Sequence, residues 1–491
     1  MLNEYFSAVD FLVLKPVILL ALFGMGVMLT DLLLETRYKY FNAVTALVGV
    51  GFASLQMWMI QSQMRDAGVN EIEAFRGAVI LDRFGIFFIW VFLISTALAI
   101  LISIRYLEIE EENHGEVYAL MLFATIGMIL LSIGMDLVTL FVALELMVIS
   151  IYILTGFLRR DRRSNEAALK YLLLGAFSSG ILAYGMSLLY GMSNSTDLRV
   201  IQSTLAQRPA GDPLVMMALI TVAAGLFFKV GAVPFHQWLP DVYEGAPHSI
   251  TAFMSVGPKA AAFAFLLRMF LVPLGPVRSE WLPLLVGVAV ATMTLGNLAA
   301  ISQSNIKRLL AYSAISHVGY LLLGLVSGND TGLKGISIYL LVYAFMNLGA
   351  FSVIVAMRRR DLIGDEIDDM SGLMYKSPTA AVLMLIFLLS LAGMPPTAGF
   401  IGKYFIFLSL IETGHNVLAT FAVLYVAVAL YYYFRIVVVM FMREPVDQEL
   451  PSISPGIRLA LGVTAAMTLI IGIYPNPFIE FANKTVLAVM R

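Results

Sequence analysis

Six ionisable residues stand in stretches of sequence too apolar to hold charge at low cost. They are Glu145 in LFVALELMVISIYIL, Lys170 in NEAALKYLLLGAFSSG, Lys229 in GLFFKVGAVPFHQWLPD, Lys259 in SVGPKAAAF, His317 in YSAISHVGYLLLG and Lys403 in MPPTAGFIGKYF. A Lys or Glu at the centre of a membrane helix costs about 2.5–3.5 kcal/mol, so it persists only when paired, wetted or functional. The chemistry open to such a set is proton binding and release. Burial weakens a lysine's hold on its proton and a nearby carboxylate strengthens it again. A change of two pKa units is worth about 2.7 kcal/mol. Carrying one proton against 100 mV costs about 2.3 kcal/mol, so amine and carboxylate moving together and apart can serve as a pump element.

Each residue also has a purely structural reading. Glu145 lies nine residues past Asp136, roughly 13 Å into a helix, beyond the reach of a snorkelling stem; it is either a neutral buried acid or the partner of a cation. Lys170 either snorkels to the nearby membrane edge or pairs with Glu145 across the intervening loop, which requires its helix to begin before residue 166. Lys229 precedes Pro234 by five residues, and Lys259 directly follows Pro258. Pro395, Pro396, Gly399 and Gly402 interrupt the run that leads to Lys403. Breaks of this kind free carbonyls and admit water beside an ionisable group. His317 reads either as a hydrogen-bonded interior histidine or as a relay with an ordinary pKa near 6.5. His236 and His248 are too weak a pair for a metal site and are expected to order their turn. Arg268 and Arg435 are expected to snorkel, and Lys15 to anchor at the interface.

The elements that must position these groups follow from composition. Of 491 residues, 60% are apolar and 13% charged, with a mean hydropathy of +0.88; a soluble domain has about 45–50% apolar and about 25% charged residues. The expected fold class is therefore an all-α polytopic membrane protein. Apolar runs fall near 11–34, 41–60, 83–105, 117–135, 136–157, 166–190, 213–233, 249–272, 280–302, 308–327, 332–356, 378–411, 415–441 and 458–488, which is 14 transmembrane helices. The twelfth run is too long for one straight crossing. No Cys is present, so Cys-ligated iron–sulfur clusters, thiolate zinc sites and disulfides are excluded. The GVG at 49–51 opens no phosphate-binding turn, and a net charge of −2 argues against a nucleic-acid partner. Glu4 and Asp10 occupy the region where a secretory signal would be positive. Basic residues crowd the loops after odd-numbered spans, among them Arg159, Arg160, Arg162 and Arg163, so those loops are expected in the cytoplasm and both termini outside.

Interruption plus lysine occurs in both helix 7 and helix 12, the fourth place in each of two five-helix units. Corresponding breaks point to two inverted repeats, helices 4–8 and 9–13, with the working groups at mid-membrane. The expected divisions are 1–116, 117–277, 278–441 and 442–491.

These strings, together with NIKRLLAYSAISHVGY and YAFMNLGAFSVI, closely resemble the subunit N family of antiporter-like membrane subunits of proton-pumping NADH:quinone oxidoreductase, respiratory complex I. The likeness runs through helices 4–13. It implies discontinuous helices 7 and 12 and a place in the membrane arm among neighbouring antiporter-like and small membrane subunits. It implies that Glu145 and Lys170 form a modulating pair, Lys229 is the central proton-binding lysine, Lys259 and His317 connect along a hydrated axis, and Lys403 is the terminal lysine. It also implies no cofactor on this chain, with FMN, iron–sulfur clusters and quinone on partner subunits, and residence in the bacterial inner membrane. A sister subunit resembles this chain but has glutamate where Lys403 stands. The alternative is the related Mrp-type sodium/proton antiporter subunit; PPTAGFIGKYF and YAFMNLGAF favour complex I.

Overall fold

A computed structural model describes residues 7–35, 38–358, 365–445 and 453–483. Thirteen of its helices are long and apolar enough to cross a membrane. The broken pair Pro378–Ala392 and Ala398–Glu412 supplies the fourteenth crossing. The chain is an all-α polytopic membrane protein. Several helix starts are written by short polar caps: Asp82, Asp136, Asp161, Asp212, Asn305 and Ser454 each accept from the first free backbone amides, which would otherwise lack partners.

Several boundaries differ from the hydropathy reading. The sixth span begins at Arg162 rather than 166 and runs to Ser193, because Asp161 caps it inside the arginine-rich loop. The second extends over Tyr40–Asp66. The last ends at Ile473, and after Pro475 a short helix Asn476–Asn483 follows; the remainder of the run expected to 488 lies outside the described residues. An antiparallel hairpin, β1 (Glu71–Ala74) and β2 (Val79–Asp82), joins the second and third spans. An amphipathic helix Leu198–Leu205 follows the sixth. Neither was legible as a membrane run, since both are short and lie between crossings.

Three helices are enclosed by the rest. In the most apolar stretch of His248–Leu271 every residue is buried, and in Ile306–Ser327 and Asp330–Met357 the figure is 94%, against 33–39% for the first, second and sixth spans. A helix apolar all round lies either in a protein core or in lipid, and for these three the surroundings are protein. The enclosed trio carries Lys259 and His317, so these two groups sit on the inner axis of the molecule. The outer helices turn residues such as Phe177, Leu173 and Val417 outward, as lipid contact requires.

The two breaks have the same build. The first half of the seventh span, Pro213–Val230, stops at Gly231, whose amide donates to the carbonyls of Phe227 and Phe228; Ala232 then donates to Phe227. Pro378–Ala392 stops at Gly393, which donates to Leu389 and Ser390, and Met394 then donates to Leu389. Both glycines are left-handed, with φ of 79° and 86°, the conformation that costs a side chain most and closes a helix C-terminus. Pro234 and Pro396 follow each glycine at the same distance. In this register Asp241 of the second half-helix, Trp238–Gly245, corresponds to Lys403 of Ala398–Glu412.

Candidate functional site

Lys403 leaves the second half of the broken twelfth span and turns back onto the end of the first. Its Nζ donates to the carbonyls of Ala392 at 2.9 Å and Leu391 at 3.2 Å and lies 4.8 Å from the centre of the Tyr320 ring. The last carbonyls of a helix have no partner in their own helix and carry its partial negative charge. The break therefore creates the acceptor that the amine uses. Lys403 is 2% exposed.

The next group inward is His317, also buried. Its Nδ1 meets the Tyr339 hydroxyl in a short hydrogen bond, and Nε2 lies 3.2 Å from the Tyr433 hydroxyl, which in turn bonds Ser313. A neutral imidazole donates from one nitrogen and accepts at the other, and hydroxyls on both sides can serve either role. Of the two sequence readings of His317, the hydrogen-bonded interior histidine is the one seen, and its partners are both tyrosine hydroxyls.

Lys259 donates to the Ala314 carbonyl at 3.4 Å and stands 5.8 Å and 5.9 Å from the ring centres of Tyr343 and Tyr243. The Tyr343 ring is 5.2 Å from the His317 ring, and the Tyr320 ring 6.4 Å from it on the way to Lys403. Tyr343 thus stands beside both Lys259 and His317, and Tyr320 beside both His317 and Lys403. Pro258 does not break the eighth span, which is continuous.

Lys229 belongs to a second group. It ends the first half of the seventh span, donates to Ser179 Oγ at 3.0 Å and is 9% exposed. Among the described residues the Glu145 carboxylate is a charge that acts on it, without an ion pair between the two. Glu145 has one buried oxygen, Oε1, with no hydrogen-bond partner. Among the described residues no hydrogen bond joins this group to Lys259, His317 or Lys403.

The expected Glu145–Lys170 pair is not formed. Lys170 Nζ lies 2.8 Å from Glu166 and 3.1 Å from Asp241, at the edge of a cavity of about 270 Å³ lined by Arg163, Glu244 and Arg308 as well. Arg268 does not snorkel either. It is 1% exposed, paired with Asp82 at 2.9 Å, and donates from Nε to the Ser132 carbonyl at 2.7 Å. It ties the base of the hairpin to the eighth span. Arg435 donates to the Ile301 carbonyl at a helix end, and Lys15 faces outward.

Sequence reasoning missed a buried polar cluster at the ends of the eighth, tenth and eleventh spans. His248 Nε2 is 2.7 Å from Asp365, Lys307 Nζ is 3.8 Å from the same carboxylate, and Arg358 pairs with Glu110 at 2.9 Å. Burial alone would push the Asp365 carboxyl up. The contact with His248 and the charges of Lys307 and Arg358 outweigh it and hold the group well below the usual carboxylate range. His236 has a buried Nδ1 without a partner, and no group of three or more metal-ligating side chains occurs among the described residues. The tyrosine links were partly visible: Tyr339 and Tyr343 are four residues apart in an apolar helix and so share a face.

The family model described as "NADH:quinone oxidoreductase/Mrp antiporter, TM" matches residues 134–429. A protein of Solibacter usitatus named NADH-quinone oxidoreductase subunit N 2 is 54% identical over 98% of both chains. This chain belongs to the subunit N family of NADH-quinone oxidoreductase. A chain in the structure of respiratory complex I from Thermus thermophilus is similar to this member of the family over 95% of its length and 99% of that chain, with 30% identity and a TM-score of 0.80. A chain of the Mrp complex from a Dietzia species superposes with a TM-score of 0.84 at 21% identity, a likeness of fold alone. Glu145, Lys170, both broken helices and Lys403 all fall inside the segment that the family model matches.

Proposed function

We propose that this subunit N family member is a proton-translocating membrane-arm subunit of NADH:quinone oxidoreductase, assembled beside other antiporter-like and small membrane subunits. The observation that carries this reading is the trio Lys229, Lys259 and Lys403. All are buried, all bond only to hydroxyl or carbonyl oxygens, and among the described residues none has a carboxylate within ion-pair distance. A permanently charged amine left unpaired at membrane depth is costly, so amines in such places are suited to alternate between charged and neutral.

Glu145 tunes Lys229, Lys259 and His317 pass protons along the enclosed axis, and Lys403 delivers them at the second break. Residues 117–277 and 278–441 act as the two inverted repeats, a reading supported by the matching construction of the two breaks. Residues 1–116 and 442–491 flank them. The subunit lies in the bacterial inner membrane with the arginine-rich loops in the cytoplasm and both termini outside. Electron transfer through FMN, iron–sulfur clusters and quinone takes place on partner subunits.

The test is Lys229→Ala in the intact complex. NADH oxidation is coupled to proton uptake by inverted membrane vesicles, and the variant is expected to assemble but to lose most of that uptake. Normal uptake with normal assembly refutes the role. Sodium dependence of the wild-type uptake would favour the Mrp-type reading instead.

A further inference from the structure

Lys170 holds two carboxylates, Glu166 and Asp241, and a third, Glu145, lies within its reach unoccupied. The fifth and sixth spans are antiparallel, and their relative height is fixed where Ser164 Oγ donates to the Thr155 carbonyl at 2.7 Å. From that level Lys170 lies six residues along its helix and Glu145 ten residues back along the other, so their Cα atoms differ in depth by about 6 Å. A four-carbon lysine stem and a glutamate side chain together cover that distance. The early start of the sixth span at Arg162 makes this possible. Glu145 keeps a buried oxygen without a partner, while Lys170 turns the other way, to Glu166 on its own helix and to Asp241 on the half-helix Trp238–Gly245.

Asp241 is itself shared. Its Oδ1 accepts from Arg308 Nη1 at 2.9 Å, and the same nitrogen donates to Glu244 at 2.7 Å. Arg308 stands on the tenth span, in the second repeat; Lys170 stands on the sixth, in the first. One carboxylate on the broken seventh span therefore holds a cation from each repeat. We propose that Asp241 is the positioning residue that sets whether Lys170 faces Glu145: Lys170 is a two-position switch, seen in its Asp241 position, and Arg308, held by the other oxygen of the same carboxylate, biases it by neutralising part of the charge that holds Lys170. This inference rests on the proton-translocating reading above.

The energetics suit a switch. The side chains of Lys170 and Asp241 are 44% and 38% exposed, and ion pairs so wetted contribute about 0–1 kcal/mol. Leaving Asp241, and with it the still more exposed Glu166, therefore costs little. The charges facing the cavity are Arg163, Lys170 and Arg308 against Glu166, Asp241 and Glu244, which balance; departure of Lys170 leaves one carboxylate uncompensated beside the broken helix and places a new positive charge at Glu145, the group that acts on Lys229.

The deciding measurement is the position of Lys170 in electron cryo-microscopy maps of the assembled complex carrying Asp241→Asn, with proton uptake measured on the same membranes. Lys170 Nζ is expected within ion-pair distance of Glu145, and uptake is expected to fall by about fivefold, the small end for coupled sites. Asp241→Glu should restore both the position and most of the uptake. In a Lys170→Met background, Asp241→Asn should cause no further loss, because Asp241 acts only through Lys170. Arg308→Gln removes the second cation that shares the carboxylate, and should keep Lys170 on Asp241 and slow uptake for that reason. The proposal is overturned if Lys170 remains away from Glu145 in Asp241→Asn, or if Asp241→Asn lowers uptake equally with and without Lys170. Where Asp241→Asn does not assemble, Arg308→Gln decides: Lys170 off Asp241 with normal uptake sinks the switch. The Lys229→Ala control separates the two ideas, since normal pumping there overturns the proton-translocating reading while the position of Lys170 still tests the switch.

Discussion

Lys403 Nζ sits 2.9 Å from the carbonyl of Ala392, across the gap that separates the two halves of the twelfth span. The amine and the freed helix end are complementary: the break removes the backbone partners of the last carbonyls, and the lysine replaces them.

Lys403→Met is expected to abolish most proton uptake in an assembled complex, because a thioether cannot donate to these carbonyls. Lys403→Glu should behave differently. A neutral carboxyl can donate to a carbonyl, but an ionised one is repelled by the helix C-terminus, so its residual uptake should be larger at acid pH than at alkaline pH. A pH profile of NADH-driven uptake parallel to that of wild type would contradict this.

Glu145→Gln removes a carboxylate charge that acts on Lys229 and leaves the shape of the site intact. Partial loss of proton uptake is expected, clearly greater than that caused by Arg435→Gln, whose guanidinium merely covers the Ile301 carbonyl. Equal losses in vesicles matched for complex content would mean that burial and function are not linked in this way.

Arg268→Gln should act on stability. It strands Asp82 in a buried place, and breaking one side of a buried pair costs about 3–5 kcal/mol. The expected outcome is a reduced amount of intact complex on native gels, with pumping per remaining complex close to wild type. Undiminished assembly would contradict the structural role.

Asp365 gives a pH signature. Its folded carboxyl is held below the usual range, so the stabilisation it provides is complete above the unfolded value of about 4 and fades as pH falls below it. Thermal unfolding of the purified complex should show wild type exceeding Asp365→Asn by a constant margin from pH 5 to 7 and by a shrinking one toward pH 3, limits taken from the usual carboxylate range. A margin that grows on acidification has the wrong sign for this account.

The amino-acid sequence alone determined the membrane class, the crossings, the two interrupted helices and the identity of the ionisable residues at depth. Those follow from hydropathy, from proline and glycine, and from the cost of charge in lipid, all of which are local properties. Even the common build of the two breaks was written there, as GAVP and GMPP, since a left-handed glycine two residues before the next turn is a local requirement.

Which charges meet was decided only by tertiary structure. Asp241 lies 71 residues from Lys170 and 67 from Arg308, and Asp82 lies 186 from Arg268. No periodicity within one helix can relate such partners. The cap at Asp161 lengthened the sixth span and so set the depth of Lys170, and the packing of the seventh and tenth spans put Asp241 above it. The reason is physical: in a bundle, the environment of each charge is set by which faces of distant helices come together, and that is fixed by packing of the whole chain.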